Sequence, residues 1–293
     1  MNGILPLWKP SGLTSHDCVV KVRKIAGTKK VGHTGTLDPD VEGVLPLCIG
    51  QATKLVPFLT DTQKTYEAVV SLGTATETED ATGEVIAEAE VPSLSDRDIQ
   101  NVLKTFTGEI TQVPPMYSAV KVGGRRLYEY AREGIEVERP ERQVTIHELA
   151  WSERLSENTF KIRVLCSKGT YIRTLCADIG KALGLPAHMK SLKRLGTGDF
   201  QEKDCVRLED LNKEIIKETL LPMQRAVPHL PEWKVSEKEA AMIKNGERFY
   251  VPEGWVSGNI HSAVFENEIL ALYQDHPEKE GIIKPLRVLV SNE

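Results

Sequence analysis

The loop at residues 32 to 43 carries side chains that could do chemistry. It reads GHTGTLDPDVEG and places Asp38 directly before Pro39. An aspartate before proline is pushed out of the helical region and often begins a turn, so a structural role alone would account for Asp38. The surrounding glycines would equally allow a rigid loop to hold a carboxylate open to a bulky ligand, as a nucleophile requires. The residues of the loop leave both interpretations open.

Two other chemistries fit this loop less well. His33 and Asp38 are metal-ligand types, but no third ligand follows at a suitable spacing. The glycines match neither the dinucleotide pattern nor the Walker phosphate pattern. A metal centre and a phosphate cradle are therefore both disfavoured here.

A second residue stands out in SKGTYIRTLCADIGKALG, residues 167 to 184, where Gly169 and Thr170 suit the start of a helix. Arg173 would then lie in the first turn, where the helix dipole favours an acid over a base. It is either a surface arginine tolerated at little cost or a guanidinium that reaches across to another group. The helix pattern does not decide between the two.

Hydrophobic periodicity and end signals predict the elements that hold these residues. Ser15 is predicted to cap a helix that Gly27 ends, and Ser95 with Asp98 marks the start of another helix. The segment from about 108 to 141 is predicted to be an insertion or long loop. Strands are predicted at GILPLW, GVLPLCIG, TYEAVVSLG, QVTIHELAW and TFKIRVLC.

Composition and charge limit the class of protein. The 293 residues are 40% hydrophobic and 27% charged, which is ordinary for a globular protein. No apolar stretch reaches the roughly 18 residues of a membrane span, and the N-terminus lacks a signal-peptide pattern. We therefore expect a cytoplasmic protein with no membrane partner. Five cysteines without a C-x-x-C pair predict free thiols.

The charges are unevenly distributed along the chain. The net charge of -5 argues mildly against a polyanionic partner. Basic runs occur at 21 to 30, 121 to 132 and 188 to 195. Each run taken singly is more typical of a solvated helix face, but three of them in an acidic chain together indicate a surface that faces RNA or DNA. Acidic residues collect instead at 77 to 90.

Five segments, in order, closely resemble the TruB family of tRNA pseudouridine synthases: KPSGLTSHD, GHTGTLDPDVEGVLPLCIGQATK, TYEAVVSLGTATETEDATG, PPMYSAVKVGGRRLYEYAREG and CSKGTYIRTLCADIG. The resemblance implies an α+β fold with a mixed, mainly antiparallel sheet core and flanking helices. It implies a catalytic domain over 1–230 with an RNA-binding thumb insertion at 114–141. The tail, 231–293, resembles a small, mostly β, PUA-like module that helps to hold tRNA.

The family resemblance also implies a reaction, the conversion of uridine to pseudouridine at position 55 in the T-loop of tRNA. The target base is flipped out, and an aspartate attacks either C6 of the base or C1′ of the ribose. Neither cofactor nor metal is needed, because no redox change or group transfer occurs. The thumb is similar to that of standalone bacterial members and is lacking in guide-RNA-dependent relatives. The resemblance thus implies a monomer that binds the T-arm without a guide RNA or an obligate protein partner.

Two alternatives to this enzyme come from different classes. A non-catalytic RNA-binding protein or tRNA chaperone would keep the basic surface but would not need Asp38, Tyr66 and Arg173 together. A glycosidase acting on free sugars would require a second acid beside the bond, and nothing marks Asp40 or Glu42 for that role.

The resemblance assigns roles to individual residues. Asp38 matches the nucleophile, and Arg173 matches the arginine that pairs with it. Tyr66 matches the tyrosine that stacks on the target base and is a candidate to relay the C5 proton. The other residues expected to bind substrate or RNA are Lys9, His33, Tyr171, Leu192, Arg125 and Arg126.

Overall fold

The computed structural model describes residues 1–290, in which strands outnumber helices. The strands are, in chain order, β1 (Gly3–Lys9), β2 (Val31–His33), β3 (Glu42–Ile49), β4 (Lys64–Leu72), β5 (Thr74–Thr76), β6 (Val85–Glu88), β7 (Gly108–Gln112), β8 (Lys121–Val122), β9 (Arg125–Arg126), β10 (Arg142–Arg154), β11 (Thr159–Cys166), β12 (Ala187–Thr197), β13 (Phe200–Gln201), β14 (Val206–Arg207), β15 (Glu232–Lys234), β16 (Phe249–Tyr250), β17 (His261–Phe265), β18 (Glu268–Asp275) and β19 (Ile282–Val288). The helices are α1 (Ser15–Ala26), α2 (Val56–Thr60), α3 (Asp96–Lys104), α4 (Leu127–Arg132), α5 (Ile172–Ala182), α6 (Lys213–Thr219) and α7 (Glu237–Lys244).

The chain divides into two compact units. The first comprises Met1–Asp40, Val44–Thr60 and the residues from Asp199 onward; the second comprises Val41–Gly43 and Asp61–Gly198. In the first unit, β14 pairs with β1 in parallel and β2 pairs with β3 antiparallel. Strand β1 is buried at every residue, which fits its almost continuous apolar sequence, GILPLWK.

The second unit is built on antiparallel strands in the order β12, β4, β11, β10, β7. Helices α3 and α5 bury their apolar residues, among them Ile99 and Leu175, in the hydrophobic core of this unit. Gly43 pairs with Arg194, and its φ is 138°. A Cβ at Gly43 would lie 2.3 Å from the Arg194 carbonyl oxygen, so this approach requires glycine.

The tail has a sheet of its own within the first unit, with the strand order β15, β17, β18, β19, β16. Its aromatic core includes an edge-to-face pair between Trp233 and Tyr273, whose ring centroids are 5.3 Å apart. Leu272, on β18, packs in another cluster that contains Ile4 and Trp8. The tail is therefore mostly β, and it shares part of a core with β1. The domain boundary at residue 230 stays a prediction.

Most of the predicted elements are confirmed. The fold is α+β with a mainly antiparallel sheet, and every predicted strand forms. Helix α3 begins at the Ser95 cap, where the side chains of Ser95 and Asp98 each accept from the main-chain N–H of the other residue. Helix α1 ends at Gly27, whose φ of 66° is left-handed.

Three details of the predicted elements are wrong. The cap of α1 is Thr14, in a capping box with Asp17, because Ser15 is buried and binds another segment. Helix α5 begins at Ile172, two residues after Thr170. The region expected to be irregular from residue 108 starts with β7, an edge strand paired with β10.

Candidate active site

The loop that carries Asp38 connects β2 to β3. Antiparallel pairing closes its base, since His33 lies opposite Leu47. The next residue, Thr34, donates from both its main-chain N–H and its Oγ1 to the Pro46 carbonyl, at 3.2 and 3.1 Å. Asp38 itself is half-buried. The hairpin therefore fixes both ends of the segment in which the carboxylate lies.

The main chain on both sides of Asp38 is held by side chains from earlier elements. Ser15 Oγ accepts from the Leu37 N–H at 2.9 Å and donates to the Leu37 carbonyl at 3.3 Å. Lys9 Nζ donates to the Pro39 carbonyl at 2.9 Å. Because both neighbours of Asp38 are hydrogen-bonded, the carboxylate is attached to a rigid stretch of backbone.

Lys9 lies in the interior of the first unit. Its side chain is fully buried (0% exposed), and its ammonium also donates to the Pro10 carbonyl at 2.9 Å. The Gly12 N–H donates to the same Pro39 carbonyl at 2.9 Å. A buried ammonium satisfied by main-chain carbonyls avoids the large cost of an unpaired charge. Lys9 thus contacts the Asp38 loop from the interior of the first unit.

His33 lies at the end of β2 and is half-buried. Its Nδ1 accepts from the Gly35 N–H at 3.4 Å, which ties the imidazole to the start of the Asp38 loop. Gly35 has a φ of 149°, in the region that favours glycine. Lys9, His33 and Asp38 are therefore brought together by one loop of the first unit.

Arg173, in the second unit, is a buried arginine with only 7% of its surface exposed. Its Nη1 donates to the Thr78 carbonyl at 3.1 Å, and its Nη2 donates to the Tyr117 carbonyl at 2.9 Å. The Asp80 carboxylate lies 3.6 Å from Nη1. The surface-arginine interpretation is therefore wrong, because three groups hold this guanidinium in the first turn of α5.

Tyr171 caps this helix with its main chain rather than its side chain. The buried amide of Gln112 accepts from the Tyr171 N–H at 3.0 Å and donates to the Tyr171 carbonyl at 3.1 Å. Gln112 is the last residue of β7, so the strand that sequence analysis missed fixes the start of α5. Gln112 therefore holds the main chain of Tyr171, while Thr78 and Tyr117 hold the side chain of Arg173.

The acidic run noted in the sequence supplies the other side of the Arg173 site. Asp80 Oδ1 accepts from Thr78 Oγ1 at 2.7 Å, from the Thr82 N–H at 3.0 Å and from Thr82 Oγ1 at 2.6 Å. This network fixes the turn that presents the Thr78 carbonyl to Arg173. The clustering of acids at 77 to 90 was a signal for this turn, but nothing in the sequence connected it with Arg173.

Tyr66 and Leu192 lie on neighbouring strands of the second unit. Tyr66 is opposite Arg194, and Leu192 is opposite Ala68, so the two residues are diagonal neighbours across β4 and β12. Both are half-buried and pack against the hydrophobic core. The sheet therefore brings together two of the residues expected to bind the substrate.

Family models match most of this chain. The TruB family pseudouridylate synthase (N terminal domain) matches residues 23–172, and the tRNA pseudouridylate synthase B C-terminal domain matches residues 173–228. The chain belongs to the TruB family. It is accordingly an enzyme that isomerises uridine to pseudouridine in tRNA, and the family resemblance of the sequence is confirmed.

Relatives of this TruB-family chain align over nearly its whole length. The tRNA pseudouridine synthase B of Oceanobacillus iheyensis is 52% identical, with 98% of this chain and 97% of the relative covered. That of Bacillus subtilis is 47% identical, with 99% and 98% covered. A chain of a Cbf5-Nop10-Gar1 complex has a TM-score of 0.77 at 29% identity, with 99% of this chain and 85% of that chain covered.

Residues 121–132, within the predicted thumb, are basic and include two tyrosines. Arg125 stacks on Tyr130 with its guanidinium carbon 4.6 Å from the ring centroid. Arg126 and Arg132 lie 5.7 and 5.3 Å from the centroid of Tyr128. Cationic groups on aromatic faces are typical of surfaces that bind single-stranded nucleic acid.

Two structural findings concern metal and membrane binding. Within residues 1–290, no group of three His, Cys, Asp or Glu side chains is arranged to hold a metal ion. Over the same residues, no helix combines the length and apolar character that crossing a bilayer requires.

Proposed function

We propose that this enzyme acts without a guide RNA on uridine 55 in the T-loop of tRNA, with Asp38 as its nucleophile. The observation that carries the proposal is the anchoring of Asp38 between Ser15 and Lys9. A nucleophile must be held at a defined position, and hydrogen bonds to Leu37 and Pro39 hold the backbone on either side of this carboxylate.

The reaction proceeds through a covalent bond to Asp38. A carboxylate oxygen adds to C6 of the uracil or to C1′ of the ribose, and the N1–C1′ bond breaks. The base turns, a C5–C1′ bond forms, N1 takes up a proton and C5 loses one. The bond to Asp38 breaks before the product leaves. Atoms and electrons balance without an oxidant, a reductant or a cofactor.

Arg173 and Tyr66 act beside the nucleophile in this proposal. A planar guanidinium favours the ionised form of a carboxylate and fixes its orientation, so Arg173 is assigned to pair with Asp38. Its support is the set of hydrogen bonds that hold the guanidinium to Thr78 and Tyr117. Tyr66 stacks on the flipped base and is the candidate to relay the C5 proton, next to Leu192 in the pocket. Tyr171 completes the pocket lining.

The substrate is the T-arm of tRNA, bound by a monomer in the cytoplasm without an obligate protein partner. Extruding the stacked uridine costs a few kcal/mol, which contacts to the rest of the tRNA must offset. The thumb, with Arg125 and Arg126, supplies such contacts, His33 contacts RNA near the flipped nucleotide, and residues 231–293 form a PUA-like module that holds the rest of the molecule. Lys9 is assigned to the loop rather than to the RNA, because its side chain is fully buried.

The test is release of tritium from T-loop uridine labelled at C5, which reports departure of the C5 proton. Asp38→Asn preserves size and turn formation but removes the nucleophile, so turnover should fall by several orders of magnitude while tRNA binding persists. Asp40→Asn is the matched control, because Asp40 is an exposed aspartate of the same loop. Near-wild-type tritium release by Asp38→Asn would contradict the mechanism, because the isomerisation would then proceed without the Asp38 carboxylate.

A further inference from the structure

We infer that Glu79 is a positioning residue for Arg173: its carboxylate binds Thr174 and thereby fixes the first turn of α5, from which the arginine extends. The inference rests on the proposed function, because it gives Arg173 a part in the reaction. Glu79 belongs to the acidic run at 77 to 90, to which the family resemblance gave no role.

The contact between Glu79 and Thr174 is short and partly buried. Thr174 Oγ1 donates to Glu79 Oε2 at 2.6 Å, and Thr174 is buried. Thr174 directly follows Arg173, so the carboxylate holds the residue next to the guanidinium in the same turn. A hydrogen bond to a charged acceptor is about twice as strong as a neutral one, which suits it to restrain a helix end.

Glu79 lies in sequence between Thr78 and Asp80, two residues that contact Arg173 directly. Thr78 supplies a carbonyl to Nη1, and Asp80 supplies a carboxylate 3.6 Å from the same nitrogen. The three consecutive residues therefore all bind the first turn of α5, two through Arg173 and Glu79 through Thr174.

The backbone at Glu79 adopts a conformation that side chains rarely adopt. Its φ is 62°, in the left-handed region where a Cβ crowds the backbone and strains the residue. Hydrogen bonds to Met189 hold this turn in place: the Met189 N–H donates to the Glu79 carbonyl at 3.0 Å, and the Ala81 N–H donates to the Met189 carbonyl at 3.1 Å. A strained residue fastened to a neighbouring strand provides a rigid base for its side chain.

The charge of the Glu79 carboxylate interacts with α5 and with the ionisable groups around it. The first turn of α5 contains no acidic residue, so Glu79 supplies the negative group that the helix dipole favours there. Burial raises the pKa of Glu79 above the usual value, although the Thr174 hydroxyl and the cations of Arg173 and Arg139 oppose the shift. Asp178 raises the pKa further, and the Cys176 thiol also faces the carboxylate.

The decisive variant is Glu79→Gln, which retains an acceptor for Thr174 but removes the charge. We expect kcat for tritium release to fall about tenfold, less than the ~100-fold that a 1 Å misplacement can cost, with KM for tRNA unchanged. Thr174→Val, which removes the hydroxyl, should lower kcat to the same extent. Thr174→Ser, which retains the hydroxyl, should keep the native kcat. Because both residues act through one contact, the double variant Glu79→Gln/Thr174→Val should be no slower than Thr174→Val. Glu88→Gln, at an exposed acid on β6, is the control.

A pH profile separates positioning from mere stability. In the native enzyme, protonation of Glu79 weakens the contact with Thr174, so kcat should decline toward acid pH from a higher starting point than in Glu79→Gln. The inference would be overturned if Glu79→Gln lowered the melting temperature but left both kcat and the acid side of its pH profile as in the native enzyme. If Asp38→Asn and Arg173→Lys keep full activity, the proposed function itself fails; if they lose it while Glu79→Gln does not, only this inference fails.

Discussion

Ser15 Oγ exchanges two hydrogen bonds with the main chain of Leu37, one with its N–H at 2.9 Å and one with its carbonyl at 3.3 Å. Ser15 is the first residue of α1, and Leu37 precedes Asp38 in the loop between β2 and β3. The helix therefore holds the backbone of the proposed nucleophile directly. This explains why Thr14, and not Ser15, caps the helix.

The first prediction is that Ser15→Ala slows catalysis more than it weakens binding. Both hydrogen bonds to Leu37 are lost, and the Leu37 N–H and carbonyl remain behind in a buried place. We expect a loss of about 1–3 kcal/mol in stability and a fall of about tenfold in kcat, with tRNA affinity unchanged. Tritium release measured on quenched samples gives kcat, and filter binding gives the tRNA affinity.

Ser236→Ala is the matched control for this change. Ser236 caps α7 in the tail, and its loss should destabilise the protein by about 1 kcal/mol without touching the Asp38 loop. If Ser236→Ala lowers kcat as much as Ser15→Ala does, general destabilisation and not loop anchoring explains the effect.

Local patterns in the sequence predicted the elements well because local contacts form them. The capping box of Ser95 with Asp98 and the left-handed Gly27 depend on residues within one turn of each other. The same kind of signal, Thr14 with Asp17, was present in α1. The sequence nevertheless favours Ser15 as the cap, because nothing in the local pattern shows that this serine binds Leu37, 22 residues away.

The environment of Arg173 could not be predicted for the same reason. Its acceptors, Thr78 and Tyr117, are 95 and 56 residues away in sequence, and both are main-chain carbonyls. A carbonyl carries no side-chain signature, so any residue at those positions would leave the same pattern. The sequence shows that Arg173 is unusual in the first turn of a helix, but the groups that bind it are found only in the tertiary structure.

The second prediction concerns Lys64, a buried lysine on β4. Burial, and next the charge of Arg194, lower the pKa of Lys64 to about 8. In the unfolded chain, lysine holds its proton to about pH 10.4. Between these values the unfolded state binds more protons, so the contribution of Lys64 to the free energy of unfolding rises with pH.

Urea denaturation of the native enzyme and of Lys64→Met checks this sign. The free energy of unfolding of the native enzyme, minus that of the variant, should increase between pH 8 and pH 10. Lys104→Met, at an exposed lysine of α3, controls for the loss of a lysine as such. A difference that shrinks with rising pH would show that Lys64 is charged throughout this range in the folded protein.

The third prediction concerns the tail as a tRNA-binding module. Arg248 is exposed, and Tyr250, two residues later on the edge strand β16, is 83% exposed. An exposed cation suits a backbone phosphate, and an exposed aromatic ring suits an unstacked base. Arg248→Glu should weaken binding of full-length tRNA but leave KM and kcat on a T-arm hairpin unchanged. Truncation is a poorer test, because Leu272 shares a core with Ile4. An equal loss on the hairpin would contradict the assignment of the tail to the rest of the tRNA.

The last prediction concerns the thumb, whose arginines should bind phosphates without reading sequence. Each phosphate contact contributes roughly 0.7 to 0.9 to the slope of log affinity against log salt, so the double variant Arg125→Glu/Arg126→Glu should weaken binding of all tRNAs and flatten that slope. Glu133→Gln is the matched variant of opposite sign. Glu133 forms an ion pair with Arg125 at 2.5 Å, and its neutralisation should strengthen binding at low salt. Fluorescence anisotropy across a salt series measures both variants. A slope that stays at the native value in the arginine double variant would show that the thumb does not contact the phosphate backbone.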